Sequence, residues 1–452
     1  MTNRMSLLAG AGLSALALVG AATAADAKPV KHRHVAAASS SQAEEIKLLK
    51  QQVDMLTARL DAQEAAQQQT QAQAQTANDQ AQAAITQAQA ATAATATVPD
   101  QVKTSMASWK PKGGWWDNTT ISGRMYFNAS TIDQKSAGAK TAATGTGFNI
   151  KRFYLGIDHK FDDVFSANLT TDVDNVVGPA STTSPIGKGL YIKKAYLQAK
   201  LNNAFWIRLG AADLPWIPYV EGVYGYRHIE NTVTDRDKFG TSSDWGVHVG
   251  GDLADGIISY QVSVVDGAGY RNVKVTKSVD VEGRVSANYK GFLAAVGGYT
   301  GKLGADVQGI STPNTASRLD GLVGYKSKLF TVGGEYFTAK NYSASLVTSA
   351  TTKDKAEGYS LFASVNPIDK VSLFGRYDWV KPKKDVAPDM RDKYFNVGIQ
   401  YSPAKIVDLA LVYKHNKVTN GSLSTSNGTI GGINGITDGT YNEFGLFGQF
   451  RF

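Results

Sequence analysis

From residue 119 onward the chain breaks into stretches where apolar and polar residues alternate with a period of two, and the breaks are long and short by turns. A period of two is the mark of a strand with two unlike faces. The spacing predicts strands over 119–131, 146–160, 164–175, 190–201, 205–213, 243–252, 256–266, 277–289, 291–300, 317–327, 328–339, 355–365, 370–379, 391–402, 406–417 and 441–452. The short breaks include Phe161-Asp162-Asp163, Asn202-Asn203-Ala204, Lys290 and Pro403-Ala404-Lys405. The long ones are 132–145, 176–189, 214–242, 267–276, 301–316, 340–354, 380–390 and 418–440. An even count with alternating loop lengths predicts an all-β fold, a 16-stranded antiparallel transmembrane β-barrel over 119–452.

The charged face of each strand must then be the lumen, because Arg or Lys facing lipid at mid-membrane costs about 2–4 kcal/mol. In strand one Ile121, Met125, Phe127 and Ala129 oppose Arg124, Tyr126 and Asn128. In strand two Phe153, Leu155 and Ile157 oppose Arg152, Tyr154 and Asp158. In strand four Ala195, Leu197, Ala199 and Leu201 oppose Lys194, Gln198 and Lys200; in strand five Ile207, Leu209 and Ala211 oppose Arg208. The last strand puts Phe444, Leu446, Phe450 and Phe452 on one face, with Phe447 out of place among Gly445, Gln449 and Arg451. With 45 Gly, 20 Tyr and 17 Phe the composition suits strands, tight turns and aromatic girdles. A polar lumen this wide predicts a water-filled pore.

The N-terminal part is expected to be separate. Arg4, an apolar run from Leu7 to Val19, and the small residues Ala22-Thr23-Ala24 or Ala25-Asp26-Ala27 read as a signal peptide over 1–27. The run is too short for a membrane span. A basic tether follows over 28–41, with Lys28, Lys31, His32, Arg33 and His34; the two histidines read as solvated, not as metal ligands. Ile46, Leu49, Val53, Leu56 and Leu60 are spaced 3, 4, 3, 4, which makes them the seam of an α-helical coiled coil. Ala, Gln and Thr dominate from there to 97, so 42–97 reads as a coil with a helical spacer, and 98–118 as a linker. A stripe this short needs partners, so it predicts self-association. A helix lying alone is the alternative.

The barrel resembles the phosphate- and polyphosphate-selective porin family. The residues that carry the likeness are Ser122-Gly123-Arg124-Met125-Tyr126, Ile150-Lys151-Arg152-Phe153-Tyr154-Leu155-Gly156, Lys193-Lys194-Ala195-Tyr196-Leu197, Arg208-Leu209-Gly210 and Arg227-His228-Ile229-Glu230-Asn231. The resemblance implies a Gram-negative outer-membrane homotrimer, with the third outer loop in the lumen and inward Arg and Lys selecting anions. On that reading Arg124, Arg152, Lys194, Lys200 and Arg208 line the pore. The loop 214–242 is the constriction, carrying Glu221, Arg227, His228, Glu230, Arg236 and Lys238. Asp158, Asp172 and Asp174 stand among the cations, so the expected anion preference is weak.

Other classes fare worse. The net charge of +8 is scattered without a basic block, which argues against nucleic acid. The sequence has no Gly-x-Ser-x-Gly, no His-Glu-x-x-His and no phosphate-binding glycine loop. No catalytic group, metal or cofactor is therefore expected. A closed barrel tethered through its coil to the cell wall is the non-channel alternative, and a barrel hydrolase the enzymatic one. The expected partners are outer-membrane lipid, further copies of the chain, and small anions or other small solutes.

Overall fold

A computed structural model of the chain describes residues 40–96, 114–174, 190–432 and 438–452. The expected leader and most of the basic tether lie outside these residues, as does 97–113. Two compact units divide near residue 110.

The first unit contains one helix, α1 (Ser40–Ala96), of 57 residues. Ala and Gln favour helix, and no proline interrupts the run. Ile46, Leu49, Val53, Leu56 and Leu60 are each more than half exposed in the single chain.

The second unit is a closed antiparallel barrel. Its strands are β1 (Thr119–Ser136), β2 (Gly145–Lys160), β3 (Phe165–Asp174), β4 (Tyr191–Asn202), β5 (Phe205–Asp213), β6 (Ser243–Leu253), β7 (Ile258–Val265) and β8 (Asp280–Tyr289). They continue as β9 (Phe292–Gly301), β10 (Ala316–Lys326), β11 (Phe330–Lys340), β12 (Lys355–Ile368), β13 (Val371–Lys381), β14 (Arg391–Ala404), β15 (Val407–Thr419) and β16 (Gly439–Arg451). Closure comes from β1 against β16, from Arg124 opposite Arg451 up to Ser136 opposite Gly439. Gly123 and Phe452 exchange two backbone hydrogen bonds at 3.0 and 3.1 Å at the seam's end. All sixteen expected strands are present, and β1 runs five residues further than its alternation predicts.

The short connections are tight turns. Lys290 (φ 50°) and Gly291 (φ 88°) form a two-residue hairpin, where both positions need positive φ. Outward residues such as Val285, Val296, Val323, Leu361, Leu411 and Leu446 are 42–67% exposed. A continuous apolar band of this kind around a closed barrel is a bilayer surface. Aromatic rings bound it on both sides. Phe292, Tyr325 and Phe330 lie in contact along the short-turn end. Toward the other end Tyr336 faces Tyr359, and Tyr359 stacks on Trp379 at 5.5 Å.

Candidate functional site

The connection from β5 to β6 folds into the lumen. It is more ordered than a loop of its length needs to be, with two helices, α2 (Ile217–Tyr224) and α3 (Val233–Arg236). Its apolar residues Trp216, Ile217, Val220, Tyr224, Tyr226 and Ile229 pack on inward-facing Leu293, Leu322, Phe362, Phe374, Val412 and Phe447. Phe447 thus breaks the alternation of β16 because it faces this loop rather than water. Trp216 is seated by Gly297, where a Cβ would come within 2.6 Å of the indole ring. Its indole N–H donates to Glu335 at 2.8 Å and its backbone N–H to Glu282 at 3.0 Å.

Charge pins the far end of the loop to the same wall. Arg236 is wholly buried among Asp237 (3.1 Å), Asp378 (3.1 Å) and Asp392 (2.5 Å), and donates to Asn416 at 3.0 Å. Its guanidinium lies over the Tyr394 ring at 4.6 Å. Glu230 is buried against Lys414 at 3.4 Å, and Lys414 also meets Glu443 at 3.1 Å.

A second outer loop folds onto the first. Its two short strands, Ser422–Thr425 and Gly428–Gly431, make a hairpin whose Leu423 and Ile430 pack on Met390, Val418 and Tyr441. At its tip Ser426 N–H donates to the Arg236 carbonyl at 2.8 Å. Ser426 Oγ and Asn427 Nδ2 donate to the two Glu230 oxygens at 2.6 and 2.8 Å. Lys238 Nζ donates to Ser424 Oγ at 2.6 Å. The loop and hairpin together cover the wall from β9 to β16.

The passage left is on the other side. A cavity of about 550 Å³ runs between Pro218, Glu221 and Arg227 of the loop and the wall residues Arg124, Tyr154, Lys193, Lys194 and Asp213. It continues to Lys405 and Arg451 at the short-turn end.

Two β-bulges load this wall with charge. Tyr126 pairs with Arg152 and Phe127 with Ile150, so Lys151 is an extra residue. Thr170 pairs with Lys194 and Thr171 with Ile192, so Lys193 is another. A bulge turns its extra side chain to the face of its neighbour. Lys151 therefore reaches inward to the Ile229 carbonyl at 2.9 Å, and Lys193 to Ser242 Oγ at 2.9 Å. Strict alternation would point both at lipid.

The basic wall holds its cations differently from the far wall. Arg124 reaches the Tyr126 hydroxyl at 3.5 Å. Lys193 lies over the rings of Tyr154 and Tyr270 at 5.4 and 5.1 Å. Arg208 donates to Gln198 at 2.8 Å and covers the Trp206 ring at 4.2 Å. These partners are neutral. Arg152 and Lys194 do meet carboxylates, Asp172 at 2.8 Å and Asp213 at 3.0 Å. On the far wall Arg318, Arg376 and Lys414 are ion-paired, as are Arg236 of the loop and Arg451 at the seam beside the cavity.

The residues expected from sequence thus separate. Arg124, Lys194, Glu221 and Arg227 line the cavity. Arg152 sits beside it, tied to Asp172. Arg208 and Lys200 lie on neighbouring strands toward the short-turn end, where Lys200 faces Trp206. Arg227 is bridged to Glu221 at 2.5 Å and Asp235 at 3.7 Å. Glu230 and Arg236 do not face the passage, as the constriction reading has them; they are the loop's buried anchors. His228 is buried beside the Tyr126 and Tyr226 rings. Burial pushes its imidazole down to about 3, so it carries no charge at neutral pH. Burial alone would raise the Glu230 carboxyl, but Lys414, Lys151, Ser426 and Asn427 hold it well below the usual carboxylate range.

No family model matches the chain, and no curated protein matches it. Solved structures do. The barrel is similar to the anion-selective porin from Comamonas acidovorans, with a TM-score of 0.52 and 15% identity over 74% of this chain and 99% of that one. It is also similar to outer-membrane expressed OmpT of Vibrio cholerae and to Salmonella typhi OmpF complexed with daunomycin. Each has a TM-score of 0.50 and 11% identity over 74% of this chain and 97% of the other. At these identities the likeness is one of fold.

Proposed function

We propose that this chain is an outer-membrane porin, a water-filled channel through which small hydrophilic solutes diffuse passively, with a modest preference for anions. Phosphate-like ions are among the solutes it would pass. The observation that carries the reading is the difference between the two walls. Where a carboxylate holds a cation, the pair is nearly neutral at a distance. Where a phenol, a hydroxyl or a ring holds it, the charge still acts on the lumen. Arg124 and Lys193 are of the second kind and border the passage. Ions crossing within a Debye length of about 8 Å feel both. Asp158, Asp213 and Glu221 border the same cavity and temper the field.

Reversal potential in a salt gradient tests this. Wild-type protein in planar bilayers should favour chloride and phosphate over potassium. Arg124→Glu with Lys193→Glu should turn the preference to cations, changing the permeability ratio by roughly tenfold at low salt. An unaltered reversal potential with intact conductance would remove the basic wall as the source of selectivity. No current from correctly folded wild type would favour the closed, tethered barrel instead.

The exposed stripe on α1 supports self-association, with a homotrimer as the expected state. Ile46, Leu49, Val53, Leu56 and Leu60 would form a parallel seam between copies. Leu49→Asp with Leu56→Asp should lower the temperature at which the oligomer dissociates on unboiled gels. The same temperature in this variant and in one lacking residues 42–97 would deny the helix a part in assembly.

A further inference from the structure

The outer wall from β11 to β15 carries a basic belt that the channel does not use. Lys340, Lys355, Lys381, Lys393 and Lys417 occupy outward positions at the strand ends next to the long loops. Lys340 stands directly opposite Lys355, and Lys393 directly opposite Lys417. Like charges so placed destabilise a sheet. Some compensation exists: Lys381 and Lys384 meet Glu357 at 3.8 and 2.5 Å, Lys355 meets Asp385 at 3.9 Å, and Lys417 meets Asp438 at 3.9 Å. Among the described residues Lys340 and Lys393 have no carboxylate within 4.0 Å. The belt lies just beyond the aromatic row of Tyr336, Tyr359 and Trp379. Such a row marks the membrane interface, so the lysines stand at headgroup level.

Below that row the wall is hollow. Gly321, Gly334, Ala287 and Ala294 floor an apolar groove of about 670 Å³ between Val285, Val296, Val323 and Leu361. Tyr336 and Tyr359 close its upper end. Four residues further along the same two strands, about 13 Å at the usual rise, are Lys340 and Lys355. The groove faces hydrocarbon, and of the two lysines above it Lys355 has only a long contact to Asp385 and Lys340 has no carboxylate.

We propose that this surface binds a phosphate-bearing, acylated glycolipid of the outer leaflet, with a phosphate between Lys340 and Lys355 and an acyl chain in the groove below. A free anion would have no use for the groove. A neutral lipid would leave Lys340 opposite Lys355 without a counter-charge. Each lysine near a lipid surface attracts an anionic headgroup, and reversing two of them should weaken binding by at least about tenfold.

The test uses the full-length protein in detergent, with affinity read by native mass spectrometry and the unfolding midpoint read alongside. The probes are lipid A, its dephosphorylated form and inorganic phosphate. Wild type should bind lipid A and unfold later in its presence, and respond little to the other two. Lys340→Glu with Lys355→Glu should lose at least about tenfold in affinity for lipid A. Gly321→Leu, which fills the groove from outside, should weaken it too. Both variants should keep wild-type conductance, which shows that they are folded and separates this inference from the channel reading. Equal binding of lipid A and its dephosphorylated form would overturn the proposal. So would stabilisation by inorganic phosphate alone, or wild-type affinity in either folded variant.

Discussion

Replacing residues 422–431 with a short glycine linker should raise single-channel conductance by on the order of twofold and move the reversal potential toward cation preference. The hairpin occupies lumen on the far side, where Leu423, Thr425 and Ile430 are buried. Removing it enlarges the passage and uncovers Glu230, whose oxygens then lose the Ser426 and Asn427 donors. Solutes now confined to the basic wall would also travel past a wall whose charges are paired, so the field of the basic wall would weigh less. Larger conductance with unchanged selectivity would mean that the hairpin only fills space. No change in either would mean that it lies off the conduction path. Ser426→Ala with Asn427→Ala gives a milder control, which undocks the tip and leaves the chain its full length.

The second large effect is expected at Arg236. Arg236→Met leaves Asp237 and Asp392 without a cation and Asp378 with Arg376 alone. Removing one partner from a buried charge cluster costs about 3–5 kcal/mol. The sixteen-stranded ladder does not depend on this residue, so the cost should fall on the loop. We expect the barrel to keep its heat-resistant mobility on unboiled gels while trypsin gains access at Arg227 and Lys238. Current recordings should show frequent transitions between conductance levels as the loop leaves its seat. A variant as trypsin-resistant and as quiet as wild type would show that the apolar contacts of Trp216 and its neighbours hold the loop unaided.

The wall of the barrel is legible in the sequence because its signal is local. Each strand repeats its facing every two residues, so Arg124, Arg152, Lys194 and Arg208 can be turned inward without knowing any partner. The bulged lysines are harder. Ile150-Lys151-Arg152-Phe153-Tyr154-Leu155 and Ile192-Lys193-Lys194-Ala195-Tyr196-Leu197 share a pattern in which two basic residues separate apolar ones three positions apart. That extra step is the bulge, and it is visible once the two segments are set side by side. The roles of the loop residues are another matter. Arg236 meets Asp378 and Asp392 at separations of 142 and 156 residues, and Glu230 meets Ser426 at 196. No periodicity links such positions, so anchors and lining residues look alike in sequence. Phe447 and Gly297 did leave a trace. An apolar residue on a lumen face, or a gap in one, marks where something other than water is to lie.

The apolar seat of the inner loop also bears on the order in which the barrel is made. Leu293, Leu322, Phe362, Phe374, Val412 and Phe447 come from strands that follow the loop in the chain, the last of them from the strand that completes the ring. None of this patch exists when residues 214–242 are synthesised. A sheet still open at the edge between β1 and β16 would show an oily inner surface, which the loop covers. Contacts this distant in sequence form slowly. We expect the loop to be inside before the edges meet, since a finished ring leaves it little room to enter. Assembly would proceed by wrapping the later strands around the loop, and the loop would act as the former on which the far wall is curved.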